Sequence, residues 1–382
     1  MTDSNVIKPA TLVFALLIFP VILNAQKEKE QWNFEAGITW GNLLRNKDPF
    51  LDNSYSAYGV DLRAGIRTTG KKEWQQWLKY PDYGVGLRYV DFAQRDLGQS
   101  IALFGYISSN FLTYKNFSLR YGLGLGAMYW TKPYDPVENP HNRYIGSKIN
   151  AYIELCLGGE FKLSERTDLG VRFNFYHSSN GSTCLPNKGI NVVAAHIGLR
   201  YHLYNRKPNI YTLDTIRTFR AVNSIHIQIA PGFRESSHDH KLYPKYGLQI
   251  GYSRLFHPCF RFGGGFDFNY SGELALMLPA QERAISKYFN AAAYAGFEII
   301  YGRVGIHVAL GSYFYKSFKY YTLIYERAGV RVFLGKKMDH YLGIAVKAHG
   351  AVADYIEWSY GFHFLHWDAK KARPVKKYAG NN

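Results

Sequence analysis

Residues 170–178 read GVRFNFYHS, and the order of these nine residues decides the fold. Val171, Phe173 and Phe175 alternate with Arg172, Asn174 and Tyr176. Successive side chains of an extended strand leave opposite faces, so this spacing separates an apolar face from a polar one. A helical period would mix the two sets. A strand with one greasy and one charged face suits a barrel wall with lipid outside and a polar lumen inside. A soluble lipocalin-like barrel would need the apolar set turned inward.

The rhythm repeats along the chain. Strands are predicted over 34–40, 58–67, 83–92, 101–110, 117–129, 147–162, 168–177 and 191–203. It breaks at 204–223, YNRKPNIYTLDTIRTFRAVN, and resumes over 224–231, 246–255, 259–269, 289–300, 304–314, 323–334, 340–349 and 352–364. The halves echo one another: DLGVRFNFYH (168–177) parallels YLGIAVKAHG (341–350), and YGLGLGAMYW (121–130) parallels YGRVGIHVALGSYFY (301–315). The fold class is therefore all-β, an antiparallel transmembrane-type β-barrel built as two tandem eight-stranded repeats. One sixteen-stranded barrel is the alternative; a complete even set of strands before the break favours two. The expected organisation is a signal peptide over 1–25, a first barrel over 26–203, a linker over 204–223, a second and degenerate barrel-like repeat over 224–367, and a basic tail over 368–382.

Composition narrows the function. Mean hydropathy is −0.25, which excludes a bundle of membrane helices. The long apolar run LVFALLIFPVIL (12–23) is too short to span a bilayer and precedes Ala25, a small-residue cleavage point; it reads as a cleaved secretory signal. The three cysteines, Cys156, Cys184 and Cys259, form neither a disulfide framework nor a CxxC pair, and the histidines are scattered without metal-ligand spacing. No metal or other cofactor is expected. A net charge of +17 points to anionic partners. An exported strand-rich chain without a nucleic-acid motif fits lipid headgroups or phosphates better than nucleic acid. One segment departs from the strand pattern: KKEWQQWLKY (71–80) places Trp74, Trp77 and Leu78 at helical spacing, so a short interfacial helix is expected there.

With the N-terminus inside, the seventh strand reaches the cell surface at His177. The surface loops are then 41–57, 93–100, 130–146 and 178–190, and the short inner turns include 111–116 and 163–167. His177 and Ser179 continue the lipid-facing parity of Val171, Phe173 and Phe175. Asn191 shares the parity of Val193, Ala195, Ile197 and Leu199 on the next strand. Polar side chains on a lipid-facing wall cost free energy unless they pair or carry out chemistry. A serine becomes a nucleophile when an imidazole takes its proton, and the imidazole needs a third group to fix its tautomer. Ser179, His177 and Asn191 fit those roles. Asn180 and the backbone amides around Gly181 are placed to stabilise an oxyanion. This is acyl-ester chemistry on a substrate held in the membrane. Cys184, in the same loop, reads as an ordinary thiol. In the second half His349 falls on the lumen parity with no following serine, and Asp354 and Glu357 read as lumen polar groups, so that repeat is expected to be non-catalytic.

The stretch HSSNGSTCLPNKGIN (177–191) resembles the signature of the PagL-type lipid A 3-O-deacylases, also called acyloxyacyl hydrolase-like outer-membrane proteins. Their pattern is roughly His-x-Ser-Asn-(Ala/Gly)-x(4)-Pro-Asn-x-Gly-Ile-Glu. The resemblance extends over the first half, to Leu203, and NPHNRYIGSKIN (139–150) adds to it. It implies an eight-stranded outer-membrane barrel with its site on the lipid-facing wall and no metal. Ser179 would be the nucleophile, His177 the base and Asn180 an oxyanion contributor. The substrate would be lipid A of lipopolysaccharide in the outer leaflet of a Gram-negative bacterium. The chain departs from the pattern at Asn191, where the family has an acid. A non-catalytic outer-membrane barrel, porin- or adhesin-like, that keeps the motif as a relic is the alternative.

Overall fold

The computed structural model describes residues 31–44, 55–205, 218–317, 322–350, 352–369 and 373–374. The expected signal peptide and most of the expected linker and tail lie outside the described residues. The chain divides into two compact units, each built around one closed antiparallel barrel.

The first barrel comprises β1 (Gln31–Leu43), β2 (Ser56–Arg67), β3 (Asp82–Asp91), β4 (Gln99–Tyr114), β5 (Phe117–Trp130), β6 (Ile149–Lys162), β7 (Thr167–Ser179) and β8 (Ile190–His202). Each strand pairs with its sequence neighbour, and β1 closes on β8 from Asn33↔His202 to Leu43↔Val192. A short ribbon strand, β9 (Thr218–Phe219), precedes the second barrel. That barrel comprises β10 (Val222–Glu235), β11 (Leu242–His257), β12 (Phe260–Ser271), β13 (Phe289–Tyr301), β14 (Val304–Lys316), β15 (Ile324–Leu334), β16 (His340–His349) and β17 (Val352–Asp368). β10 closes on β17 from Val222↔Asp368 to Phe233↔Ile356. Since each ladder seals on itself, the sixteen-stranded alternative is excluded. Closure satisfies the backbone of every wall strand internally, which a sheet in lipid requires.

Most strands outrun the predicted spans. β4 passes a bulge between Asn110 and Leu112, so the turn expected over 111–116 shrinks to Lys115–Asn116. β10 continues through Pro231, where the prediction stopped, to Glu235. Pro231 lacks the N–H that one ladder needs, and the β10–β17 register accordingly passes from Ile229↔Tyr360 to Gly232↔Glu357. β9 pairs with β18 (Arg373–Pro374), joining segments read from the sequence as linker and tail; two residues are too few to display a period. The predicted short helix is present as α1 (Glu73–Trp77), where Gln75 Oε1 accepts the backbone N–H groups of Gly70 and Lys72. No helix among the described residues is long and apolar enough to cross a membrane.

Both barrels are inside out relative to a soluble protein. Phe173 is 69% exposed on the outer wall, whereas Arg88 in the lumen is 0% exposed. In the second barrel Phe262, Phe266, Val308 and Leu310 face out, while Arg327, Lys347, Asp267 and Glu357 are buried. The wall strands, 10 to 17 residues long, suffice to cross a bilayer when tilted. The lumen of the first barrel is filled by paired charges. Arg88 donates to Tyr152 Oη at 2.7 Å, to Glu154 at 2.9 Å and to Asp61, while Arg63 reaches Glu154 at 2.9 Å and Asp61 at 3.0 Å. Arg200 binds Glu35 and Asp82 nearer the turn end. These charges are tolerable only because they are paired, and removing one partner of a buried pair costs ~3–5 kcal/mol. Arg88→Leu should lower the stability of the first barrel by about that amount. Urea unfolding followed by tryptophan emission would measure it, since five of the seven tryptophans (Trp32, Trp40, Trp74, Trp77, Trp130) lie in that half. An unchanged midpoint would mean that Arg63 alone suffices.

Candidate active site

The last residues of β7 and the first of β8 form one cross-strand constellation. His177 stands directly opposite Asn191 in the ladder, and Ser179 lies two residues beyond His177 on the same face. Opposed residues on one face have their Cβ atoms close enough for direct contact. His177 Nδ1–H donates to Asn191 Oδ1 at 2.7 Å. That bond fixes the tautomer and leaves Nε2 to accept from the Ser179 hydroxyl at 2.8 Å. The three residues therefore form an unbroken hydrogen-bonded line along the outer wall. Such a line can withdraw a proton from the serine as its oxygen attacks.

The underside of the line is fixed by the opposite parity. Ser178 points into the barrel, where its Oγ accepts from Trp130 Nε1 at 3.1 Å. Trp130 stacks on Phe92, and Tyr152 lies against Tyr176, within a buried apolar cluster that also includes Ile145, Ile190 and Val192. This cluster plugs the end of the lumen that bears the constellation, and it replaces water with packed rings behind the strand ends.

The loop after Ser179 is shaped by its own polar groups. Asn180 donates its backbone N–H to Asn187 Oδ1 at 3.0 Å and its side-chain amide to Ser147 Oγ at 3.1 Å. Ser147 in turn donates to Ile149 O at 3.0 Å. Gly181 takes φ +61°, so the chain reverses at once beyond the serine. The loop returns through Gly189, whose N–H donates to Tyr144 O at 3.1 Å and whose φ is +69°. A Cβ added at Gly189 would sit 2.8 Å from His177 Cε1 and 3.3 Å from Ser179 Cβ. Only glycine lets the loop close against the imidazole.

The structure thus brings together Ser179, His177 and Asn191 as their parity predicted, with Asn180 and Gly181 beside them. Reading the sequence alone missed the supports: Gly189 as a steric requirement, Ser147 and Asn187 as holders of Asn180, and Trp130 as the anchor of Ser178. Gly189, Asn187 and Ser147 lie inside the quoted motif segments, so position was the available signal. Trp130 had none. Cys184 is half-buried in the same loop and in no disulfide. In the second barrel only two residues separate β16 from β17, against ten (180–189) between β7 and β8. His349 faces the lumen there, where its Nε2 accepts from Tyr313 Oη at 3.1 Å, and no serine follows it in the chain as Ser179 follows His177. Among the described residues no group of three His, Cys, Asp or Glu side chains lies at metal-binding spacing.

Comparison with known proteins gives two family matches. Residues 58–200 match the family model described as lipid A 3-O-deacylase (PagL), and residues 223–367 match the one described as acyloxyacyl hydrolase, C-terminal domain. No curated protein sequence matches the chain significantly. Among solved structures, the outer membrane enzyme PagL aligns at 16% identity and TM-score 0.33, over 43% of this chain and 97% of its own. Neisserial surface protein A aligns at 11% identity and TM-score 0.33, over 44% of this chain and 96% of its own. The first barrel thus resembles the PagL-type lipid A 3-O-deacylases, and the second matches the C-terminal domain of the acyloxyacyl hydrolases.

Proposed function

We propose that this protein is an outer-membrane esterase that removes an ester-linked acyl chain from lipid A, using Ser179, His177 and Asn191 of the first barrel. The observation that carries this reading is the Asn191–His177–Ser179 line on the lipid-facing wall, at 2.7 and 2.8 Å. A substrate anchored by its acyl chains in the outer leaflet presents its esters at the level of such a wall. Ser179 Oγ attacks the ester carbonyl while His177 Nε2 takes the hydroxyl proton. The negative charge on the former carbonyl oxygen is met by Asn180 and the amides around Gly181. Collapse breaks the bond to the sugar oxygen, which leaves with the proton from His177. Water, deprotonated by the same imidazole, then cleaves the acyl-serine and releases the fatty acid.

On this reading the protein is exported by a cleaved signal peptide over 1–25, and its catalytic unit is 26–203. A linker over 204–223 leads to a non-catalytic repeat over 224–367, followed by the tail over 368–382. The rival is a non-catalytic barrel that retains the motif. It draws on Asn191, which stands where the family has a glutamate, and on Ser179, which is 2% exposed. Mass spectrometry of lipid A from cells expressing the chain, beside its Ser179→Ala variant, separates the two. Loss of one ester-linked acyl chain only with Ser179 intact is the expected result. Unaltered lipid A from folded, membrane-located protein would leave the rival standing.

Gly189 supplies a subtler test. Gly189→Ala must push the imbalance of space onto His177, because the added carbon meets the ring at 2.8 Å. Misplacing a catalytic group by about 1 Å costs roughly 10²-fold in rate. The expected loss of that order should fall on kcat, with the barrel still folded. Wild-type kcat in this variant would mean that the ring is free to move without consequence.

A further inference from the structure

The lumen of the second barrel contains a cavity of about 40 Å³. By the measure of one probe sphere per water this is room for about three water molecules. Its lining is unlike the paired charges elsewhere in either lumen. His307 is 5% exposed and neither of its ring nitrogens has a hydrogen-bond partner. His226 Nδ1, Gln249 Nε2, Arg327 Nη1 and Arg331 Nε, all of residues lining the same cavity, are likewise unpartnered. The amide and guanidinium atoms among them are donors, and an imidazole can present a donor as well. Buried donors left unsatisfied each cost about 1–3 kcal/mol, and five residues around one small space call for a ligand rich in acceptors.

The charges point the same way. Glu298 is the one carboxylate lining the cavity, and it faces two guanidiniums, Arg261 at 2.8 Å and Arg331 at 3.4 Å. Asp267 and Glu357 are already matched by two cations, Arg327 at 2.8 and 2.6 Å and Lys347 at 3.6 Å from Asp267. One positive charge is therefore left over where the orphan donors converge. Water can fill the space but cannot balance that charge. We propose that the second barrel binds a small free oxyanion of the phosphate or sulfate class in its lumen, held by His307 and Arg331. A phosphate carried on a glycolipid would have to bring its sugar through the barrel wall, so the ligand is the free ion. The site lies wholly within the second barrel and does not depend on the esterase reading.

Titration calorimetry on the full-length protein in detergent micelles, at fixed ionic strength, tests this with inorganic phosphate as the probe. The expected result is saturable binding of one phosphate per chain, unchanged in Ser179→Ala. His307→Phe fills the cavity and removes both nitrogens, and Arg331→Gln removes the surplus charge; each should weaken binding at least tenfold. Heat-dependent gel mobility reports whether a variant is folded, and His307→Leu serves if the phenylalanine variant is not. No saturable binding, or equal affinity in wild type and a folded His307 variant, overturns the proposal: water would then fill the cavity and any phosphate bound would sit on surface lysines.

Discussion

Alanine at Ser179 and alanine at His177 should reduce ester hydrolysis by the same factor, and the double replacement should reduce it no further. A nucleophile and its base act as one unit, so losing either loses both. The size of the fall can be bracketed. In serine proteases removing either residue costs about 10⁶ in kcat, and replacing the acid by asparagine costs about 10⁴. If Asn191 were as poor a partner as that, His177 and Ser179 would retain only about 10² of advantage. The Asn191 carbonyl, however, accepts from His177 Nδ1 at 2.7 Å and so selects the productive tautomer. The fall in kcat should therefore lie between about 10² and 10⁶, or about 3 to 8 kcal/mol of transition-state stabilisation. Steady-state hydrolysis of a micellar acyl ester by the three purified variants would measure it. A double variant much slower than either single one would show that the two residues act separately.

The second large effect has the opposite sign. Asn191→Asp keeps the shape of the side chain and adds the charge that asparagine lacks. In the proposed mechanism His177 becomes an imidazolium as Ser179 gives up its proton, and a carboxylate against Nδ1 stabilises it where an amide cannot. The variant should gain in kcat by about 10–10², with a ceiling near 10⁴. Asn191→Ala should lose rate instead, because nothing then orients the ring. The two predictions are tied: the further Asn191→Asp rises, the smaller the fall that Ser179→Ala causes in the natural chain. If Asn191→Asp gains nothing while Asn191→Ala loses rate, orientation alone is what the third residue contributes here. If neither changes the rate, Asn191 has no part in the reaction.

Much of this was legible in the chain before any coordinates. Alternation such as that of Val171, Phe173 and Phe175 against Arg172 and Asn174 betrays a wall with lipid on one side, because the bilayer imposes a period of two on every strand. The same parity carries His177, Ser179 and Asn191 onto one face. Strand ends were less legible, since lipid no longer dictates residue type beyond the apolar band; β1 runs from Gln31 to Leu43, past both predicted limits. Pairing across the lumen was illegible for a different reason. Arg327 meets Asp267 from 60 residues away, and Arg200 meets Glu35 from 165 away. Parity says that such groups face inward but not which of them meet. The supports of the loop, Ser147 beneath Asn180 and Gly189 against His177, lie just outside the strands, where alternation does not say what a residue meets.

Each wall is sealed by its own seam, β1 on β8 and β10 on β17. A seam of that kind makes each ring a separate unit of inheritance. A change that opens one ring leaves every backbone bond of the other wall in place. Substitutions can therefore accumulate around β16 and β17 without unzipping the ring that carries Ser179.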